Sequence, residues 1–370
     1  MGRSLYTGSQ PLRRSFERIL LIKPSSLGDI VHALPVLHGL RVRFPHSVID
    51  WLVASTYAPL LQGHPELNDV VLFDRRRFGR MAGSARVAAD FLRFTRHLRH
   101  REYDLVIDLQ GLFRTGFLAL VTRAAVRIGF RSAREGAWMF YSHYLPVHEP
   151  DMHAVDRNYS VASLLDFEEC PVEFNLALPH SLRDDTVHWL RDMGVNDGSR
   201  VVAIAPGARW ETKVWGPLRF SETIDALHQR GQVRCLLLGA AEDIPLCERI
   251  TAACTSSPIN LAGRTDLCRL ATVIRLADVV LCHDSAAMHL AVALQRPLVC
   301  LVGPTNPRRT GPYRRLDDVL SLELDCAPCY LRRLSQCPNN HQCMEELTST
   351  MVVSAVERLV SRIPLAQTKL

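Results

Sequence analysis

Lysine is almost missing from this chain. Of the 44 basic residues among its 370, three are lysine (Lys23, Lys213 and Lys369) and the rest are arginine. Composition bias accounts for an arginine-filled surface, but where lysine is so scarce each internal one invites a question about its chemistry. Long apolar runs are missing as well. No window reaches about 18 uninterrupted apolar residues, so no membrane-spanning helix is expected. Arg3, Arg13, Arg14 and Arg18 are followed only by the short run ILLI at 19–22, so a secretory leader is not expected either. No G-x-G-x-x-G follows the first strand-like segment, which counts against a nicotinamide enzyme. The eleven cysteines are odd in number and scattered through apolar segments (Cys235, Cys282, Cys300), apart from one cluster near the end. That pattern reads as a cytosolic chain with mostly buried thiols, not a disulfide scaffold.

What is present is a globular balance of 47% hydrophobic and 22% charged residues. The length suggests two domains. The net charge of +6 favours an anionic partner.

Strand-like and helix-like patterns alternate along the chain. Residues 18–23, 48–54, 69–73, 103–109 and 125–130 read as buried strands. Ile30, Leu34, Leu37, Leu40 and Phe44 mark a helix that Pro35 should kink or delay. Residues 84–100 read as a helix with a basic face. The second half repeats this grammar, with strands at 201–206, 233–239, 258–260, 278–284 and 297–303, a helix opening at Pro217, and a terminal helix over 344–363. The fold class expected is α/β, with two Rossmann-like, doubly wound parallel-sheet lobes and a ligand cleft between them. The domains expected are a flexible basic extension over 1–17, an N-terminal lobe over 18–180, a C-terminal lobe over 195–345 and a C-terminal helix over 346–370.

Three strand-to-helix loops carry residues suited to chemistry. In the loop from Lys23 to His32, Ser25 and Ser26 offer hydroxyls and Gly28 permits a close approach or an unusual dihedral. Asp29 there is a general base or a simple helix cap. The loop 206–217 brings Gly207, Thr212 and Lys213 to a second junction, where backbone N–H groups and a compact ammonium suit a phosphate. The run from His283 to Leu290 offers a helix start to an anion, although Asp284 and Ser285 could only cap the helix and His289 could face the core.

Together with DLQGLFRTG at 108–116, these segments (KPSSLGDIVHALPVL at 23–37, PGARWETKVWGPLRF at 206–220 and DSAAMHLAVAL at 284–294) resemble glycosyltransferase family 9, the bacterial lipopolysaccharide heptosyltransferases. The resemblance spans about residues 18–350. It implies a GT-B fold and a metal-independent, inverting transfer from a nucleotide-sugar, usually ADP-L-glycero-D-manno-heptose, to Kdo-lipid A or its heptosylated form. It makes Asp29 the catalytic base and Lys213 the contact to the donor phosphates. Glu242 would lie near the donor ribose, and Asp284, Ser285, Ala286 and His289 around the heptose and diphosphate. Ser285 stands where many members carry threonine, and the loop 207–210 lacks the paired hydroxyls of some members.

An anionic acceptor should be read by cations, because arginine grips phosphate and carboxylate bidentately. Arg75, Arg76, Arg77, Arg114, Arg131 and Arg134 are candidates, beside Lys23, Ser26, Gly28 and Gln110. The helix with Arg93, Arg96 and Arg99 is either a plain solvated face or a contact to an anionic inner leaflet. The location implied is cytoplasmic, peripheral to the inner membrane, with no nucleic-acid partner. No cofactor is required for the transfer. The tail spacing of Cys326, Cys329, Cys337 and Cys343 resembles metal-ligand spacing, so a structural zinc, disulfides and buried free thiols all stay open. The N-terminal motif looks more like type I heptosyltransferases and the tail more like type II. The rival readings are a related transferase with another donor or acceptor, and a non-catalytic nucleotide-binding protein of the same fold.

Overall fold

Apolar runs without polar alternation suit strands covered on both faces; in the computed structural model each expected run forms a strand, buried throughout in the central ones and partly exposed in the outer ones such as Asp69–Leu72. The structure describes residues 11–80, 83–145, 149–196, 198–231 and 233–363. Lys369 and residues 1–10 lie outside them, as do the side chains of Arg75 and Arg76. The chain divides into two compact units that meet in sequence at Ala177 and Leu178.

The first unit holds β1 (Arg18–Ile22), β2 (Val48–Val53), β3 (Asp69–Leu72), β4 (Leu105–Asp108), β5 (Val126–Phe130) and β6 (His143–Leu145). They form one parallel sheet in the order β3-β2-β1-β4-β5-β6. The order reverses between β1 and β4, where Ile22 is paired with Asp108. Pro35 has the effect expected: one helix covers Leu27–Val31 and a second starts at Leu34, with the proline in its first turn. Of the expected N-terminal extension, residues 12–16 are tied down. Leu12 N–H donates to Leu164 at 2.7 Å, and Phe16 is buried.

The second unit holds β7 (Arg200–Ala205), β8 (Val233–Leu237), β9 (Ile259–Asn260), β10 (Val279–His283), β11 (Leu298–Leu301) and β12 (Val319–Leu320). Their parallel order is β12-β11-β10-β7-β8-β9. The reversal falls between β7 and β10, with Ala205 paired to Cys282. The core here joins Val202, Ile204, Leu281 and Leu301 to Trp215, Phe220 and the terminal segment's Val352 and Val356.

The expected terminal helix over 344–363 is broken into a short turn at Gln342–Glu345 and a helix over Ser349–Val360. Thr348 caps the second, accepting the Met351 N–H at 3.3 Å, so helix formation restarts there. Among the described residues no helix is long and apolar enough to cross a membrane.

Candidate active site

In an open parallel sheet, ligands bind beyond the carboxyl ends of the strands where the strand order reverses. Both units place their chemistry-bearing loops at that point.

In the first unit, Lys23 follows β1 and Asp108 ends β4. The Lys23 ammonium is almost fully covered, at 3% exposure. It donates to the Leu109 carbonyl at 2.8 Å and lies 3.4 Å from Asp29 Oδ1. Asp29 is 43% exposed, and its Oδ2 accepts the Ser26 N–H and hydroxyl, both at 2.8 Å. Burial opposes the charge on Asp29, but the Lys23 ammonium and the two Ser26 bonds outweigh it and hold the carboxyl below its ordinary range. Burial pushes the Lys23 ammonium down, with Asp29 pulling it back. The result is a half-exposed, ionised carboxylate with its orientation fixed from two sides.

Lys23 is therefore a support for Asp29; its burial removes it from the set of acceptor contacts. Gly28 is buried in a helical turn and has no left-handed dihedral, which leaves close approach as the use of the glycine there.

Asp108, which the sequence reading did not single out, organises the neighbouring loop. It accepts the N–H groups of Gln110 (2.9 Å) and Gly111 (3.2 Å) and the Tyr141 hydroxyl (2.7 Å). The Tyr141 ring reaches it only because residue 129 is glycine, since a Cβ there would overlap the ring. Gln110 is half-buried, with its side-chain oxygen unpaired. Arg114 is half-buried, and Arg131 and Arg134 are exposed. Arg77 is ion-paired with Asp90, which also holds Arg93.

In the second unit, the loop after β7 and the end of β10 meet. Lys213 Nζ donates to Asp284 Oδ2 at 2.8 Å and to its carbonyl at 3.2 Å, and it stands 4.6 Å from the centre of the Trp210 ring. Thr305, in the loop after β11, donates its hydroxyl to the same Asp284 Oδ2 at 2.8 Å. Ser285 precedes the helix Ala286–Ala293 without capping it through its side chain, so the first N–H groups of that helix are not taken by a cap. Ala286 is exposed and His289 is buried.

Thr212 is a correction. Its hydroxyl is donated to the Leu331 carbonyl at 2.5 Å and is not free to donate to a phosphate. Glu242 is exposed, and it is its neighbour Asp243 that turns inward. Asp243 accepts the Ala240 N–H at 2.9 Å and fills the space where Gly207 and Gly239 lack a Cβ. Two glycines thus let one carboxylate tie the loops after β7 and β8 together.

Two buried histidines flank the Lys213 turn. His283 Nε2 accepts the Trp215 N–H at 3.0 Å, so its proton is on Nδ1, on the side of the Gly207 backbone. Burial pushes His283 down to about 3, so it is neutral at working pH. His341 Nε2 lies 2.7 Å from the Thr212 carbonyl and so carries a proton. Sequence signals for Thr305 and His341 are weak, because each acts through a partner distant in the chain.

The structure gives no support to a zinc ion at the tail cysteines. All eleven cysteines are free thiols. Burial pushes the Cys343 thiol up to about 11, and the neighbouring Cys329, Cys337 and Cys326 add to the push. Yet among the described residues no three His, Cys, Asp or Glu side chains converge as a ligand set. Cys326 is exposed, while Cys343 is packed against Gly303.

The model of glycosyltransferase family 9 (heptosyltransferase) matches residues 91–340. Lipopolysaccharide heptosyltransferase 1 of Pseudomonas aeruginosa is 31% identical, over 84% of this chain and 86% of that protein. A family 9 glycosyltransferase structure from Veillonella parvula superposes with a TM-score of 0.82 at 20% identity, covering 96% of this chain and 100% of that one. The Escherichia coli heptosyltransferase WaaC with ADP gives a TM-score of 0.71 at 26% identity, covering 92% and 99%. The fold of the two units is that of the GT-B glycosyltransferases.

Proposed function

The chain belongs to glycosyltransferase family 9 and is a glycosyltransferase, and we propose that it moves heptose from ADP-L-glycero-D-manno-heptose to the lipopolysaccharide inner core with inversion. The observation that carries this is the Lys213–Asp284 pair at the β7/β10 reversal, beside a helix start with no side-chain cap. Such a point suits a diphosphate.

In the reaction, an acceptor hydroxyl attacks the anomeric carbon as the bond to the diphosphate breaks. Asp29 takes the hydroxyl's proton; it is ionised and half-exposed, so it is ready to accept one. Lys23 and Ser26 keep its orientation. ADP leaves carrying the bonding electron pair, and the Lys213 ammonium with the helix N–H groups stabilises the charge that develops. Ser285, Ala286 and Gly207 offer close backbone to the diphosphate, Glu242 reaches the ribose, and Asp284 and His289 order that end of the site. No metal is needed in this scheme, because the leaving charge is met by protein donors.

On the acceptor side, Ser26, Gln110, Arg77, Arg114 and Arg134 are assigned to the phosphates and carboxylates of Kdo-lipid A or its heptosylated form. The helix Ala85–His100 exposes Arg86, Arg93, Arg96 and Arg99 with Leu92 on its outer side. That face would rest on the anionic cytoplasmic leaflet, each charge contributing about 1 kcal/mol.

The test is to incubate the purified protein with ADP-heptose and Kdo-lipid A, with and without a first heptose, and to follow ADP release. Release with one of the two acceptors is expected and identifies the position of transfer. No release with either contradicts the reading.

A further inference from the structure

The cysteine-bearing tail touches the Lys213 turn repeatedly. The turn Glu211–Lys213 is only three residues long. Thr212 is fixed twice: its carbonyl accepts from His341 at 2.7 Å and its hydroxyl donates to Leu331 at 2.5 Å. Glu211 Oε2 accepts the Leu334 N–H at 3.2 Å. Just beyond the turn, the Trp215 indole donates to the Leu347 carbonyl at 2.9 Å. Arg332 stands 5.0 Å from the centre of the Trp210 ring, the same ring that Lys213 approaches. From the sheet side, His283 holds the Trp215 N–H.

A lysine side chain has several free torsions, and its ammonium is a point charge with no preferred direction. Its position depends on where the backbone beneath it is held. Here that backbone is gripped at Thr212 and Trp215, on either side of Lys213. His341 is well suited to the grip. It is buried, and its backbone is left-handed at φ 58°, which turns the chain so that the ring meets the Thr212 carbonyl.

We propose that the segment 331–347 is a brace for the phosphate-binding turn, and that His341 is its positioning residue, setting the Lys213 ammonium beside Asp284 against the fixed anchor of His283. This rests on the assignment of Lys213 to the donor diphosphate. It gives the cysteine-bearing tail a role that needs neither metal nor disulfide.

The test is a double-mutant cycle on the full chain, read by calorimetric titration with ADP. His341→Asn tolerates the left-handed backbone but is too short to reach Thr212. It is expected to weaken ADP binding about tenfold, the worth of one well-placed hydrogen bond. Combined with Lys213→Ala, it should add nothing beyond the loss from Lys213→Ala alone, because it acts through that ammonium. His341→Gln, whose amide still donates, should stay within about threefold of wild type. In turnover, the KM for the nucleotide-sugar should rise in His341→Asn while the acceptor KM does not. Thr212→Val removes the second grip without touching His341; it should show the same non-additive loss and carries the test if His341→Asn does not fold. Folded His341→Asn or Thr212→Val with wild-type ADP affinity, or losses that add to that of Lys213→Ala, overturn the brace while leaving the Lys213 assignment standing. Wild-type ADP affinity in Lys213→Ala overturns that assignment and the brace with it.

Discussion

Asp29 and Lys23 form a coupled pair in which one member is exposed enough to act and the other is buried to support it. Because the Lys23 charge lowers the Asp29 carboxyl, Asp29 keeps its basic form into mildly acidic solution. Replacing Lys23 by Met removes that charge, so the acid limb of the pH profile of kcat/KM should move to higher pH. An unmoved limb would separate Lys23 from the base. His283 gives a second pH signature. Its folded value near 3 lies below the unfolded value of about 6.5. Between these values the unfolded chain binds the extra proton, so stability falls as pH drops through that window. Denaturant titrations at pH 7.5 and pH 5 should show a smaller difference in His283→Gln than in wild type. At this scale much of the site was legible. Asp29, Lys213 and Asp284 could be read because each lies in the segment that leads from an apolar strand into the next helix. Thr305 and His341 could not, since Thr305 acts through Asp284, 21 residues away, and His341 through Thr212, 129 residues away. Thr212 was misread for the same reason: a hydroxyl in a phosphate-suited loop shows nothing of a carbonyl in the tail that takes it.

Elements were read best where burial on both faces left no alternative. The strands from β1 to β5 appear as apolar runs, and their ends moved by no more than two residues. The edge strands β6 and β12, with three and two residues, carry too little pattern to be seen. The apolar spacing of the tail continues from Met344 to Val360, which predicts one helix. The break at Leu347 appears only when its carbonyl is seen to accept from Trp215 and Arg219. Close approach also shapes β5, where Gly129 makes room for the Tyr141 ring. Gly129→Ala should destabilise by about 1–3 kcal/mol through overpacking. At roughly 2–4 °C per kcal/mol, a lowered melting temperature checks this. An unchanged melting temperature would mean that Tyr141 can move aside, and that the Asp108 loop does not depend on it.

At the scale of the whole chain, one architecture is used twice. Each unit is a six-stranded parallel sheet whose order reverses once, and each sets its functional loops at that reversal. The first reversal carries a carboxylate and the second an ammonium with a helix start, the two charges an inverting transfer requires. The near-absence of lysine has a structural counterpart: the two internal lysines occupy these two points, one buried as a support and one paired with Asp284. The central claim is heptosyl transfer with Asp29 as the base. Its most direct measurement is mass spectrometry of the lipid acceptor after incubation with ADP-heptose, comparing wild type with Asp29→Asn. The account predicts one added heptose with wild type. It predicts about 10²–10⁴-fold slower addition with Asp29→Asn, which should still bind ADP-heptose normally. Heptose addition by Asp29→Asn at the wild-type rate, or none by wild type, would contradict it.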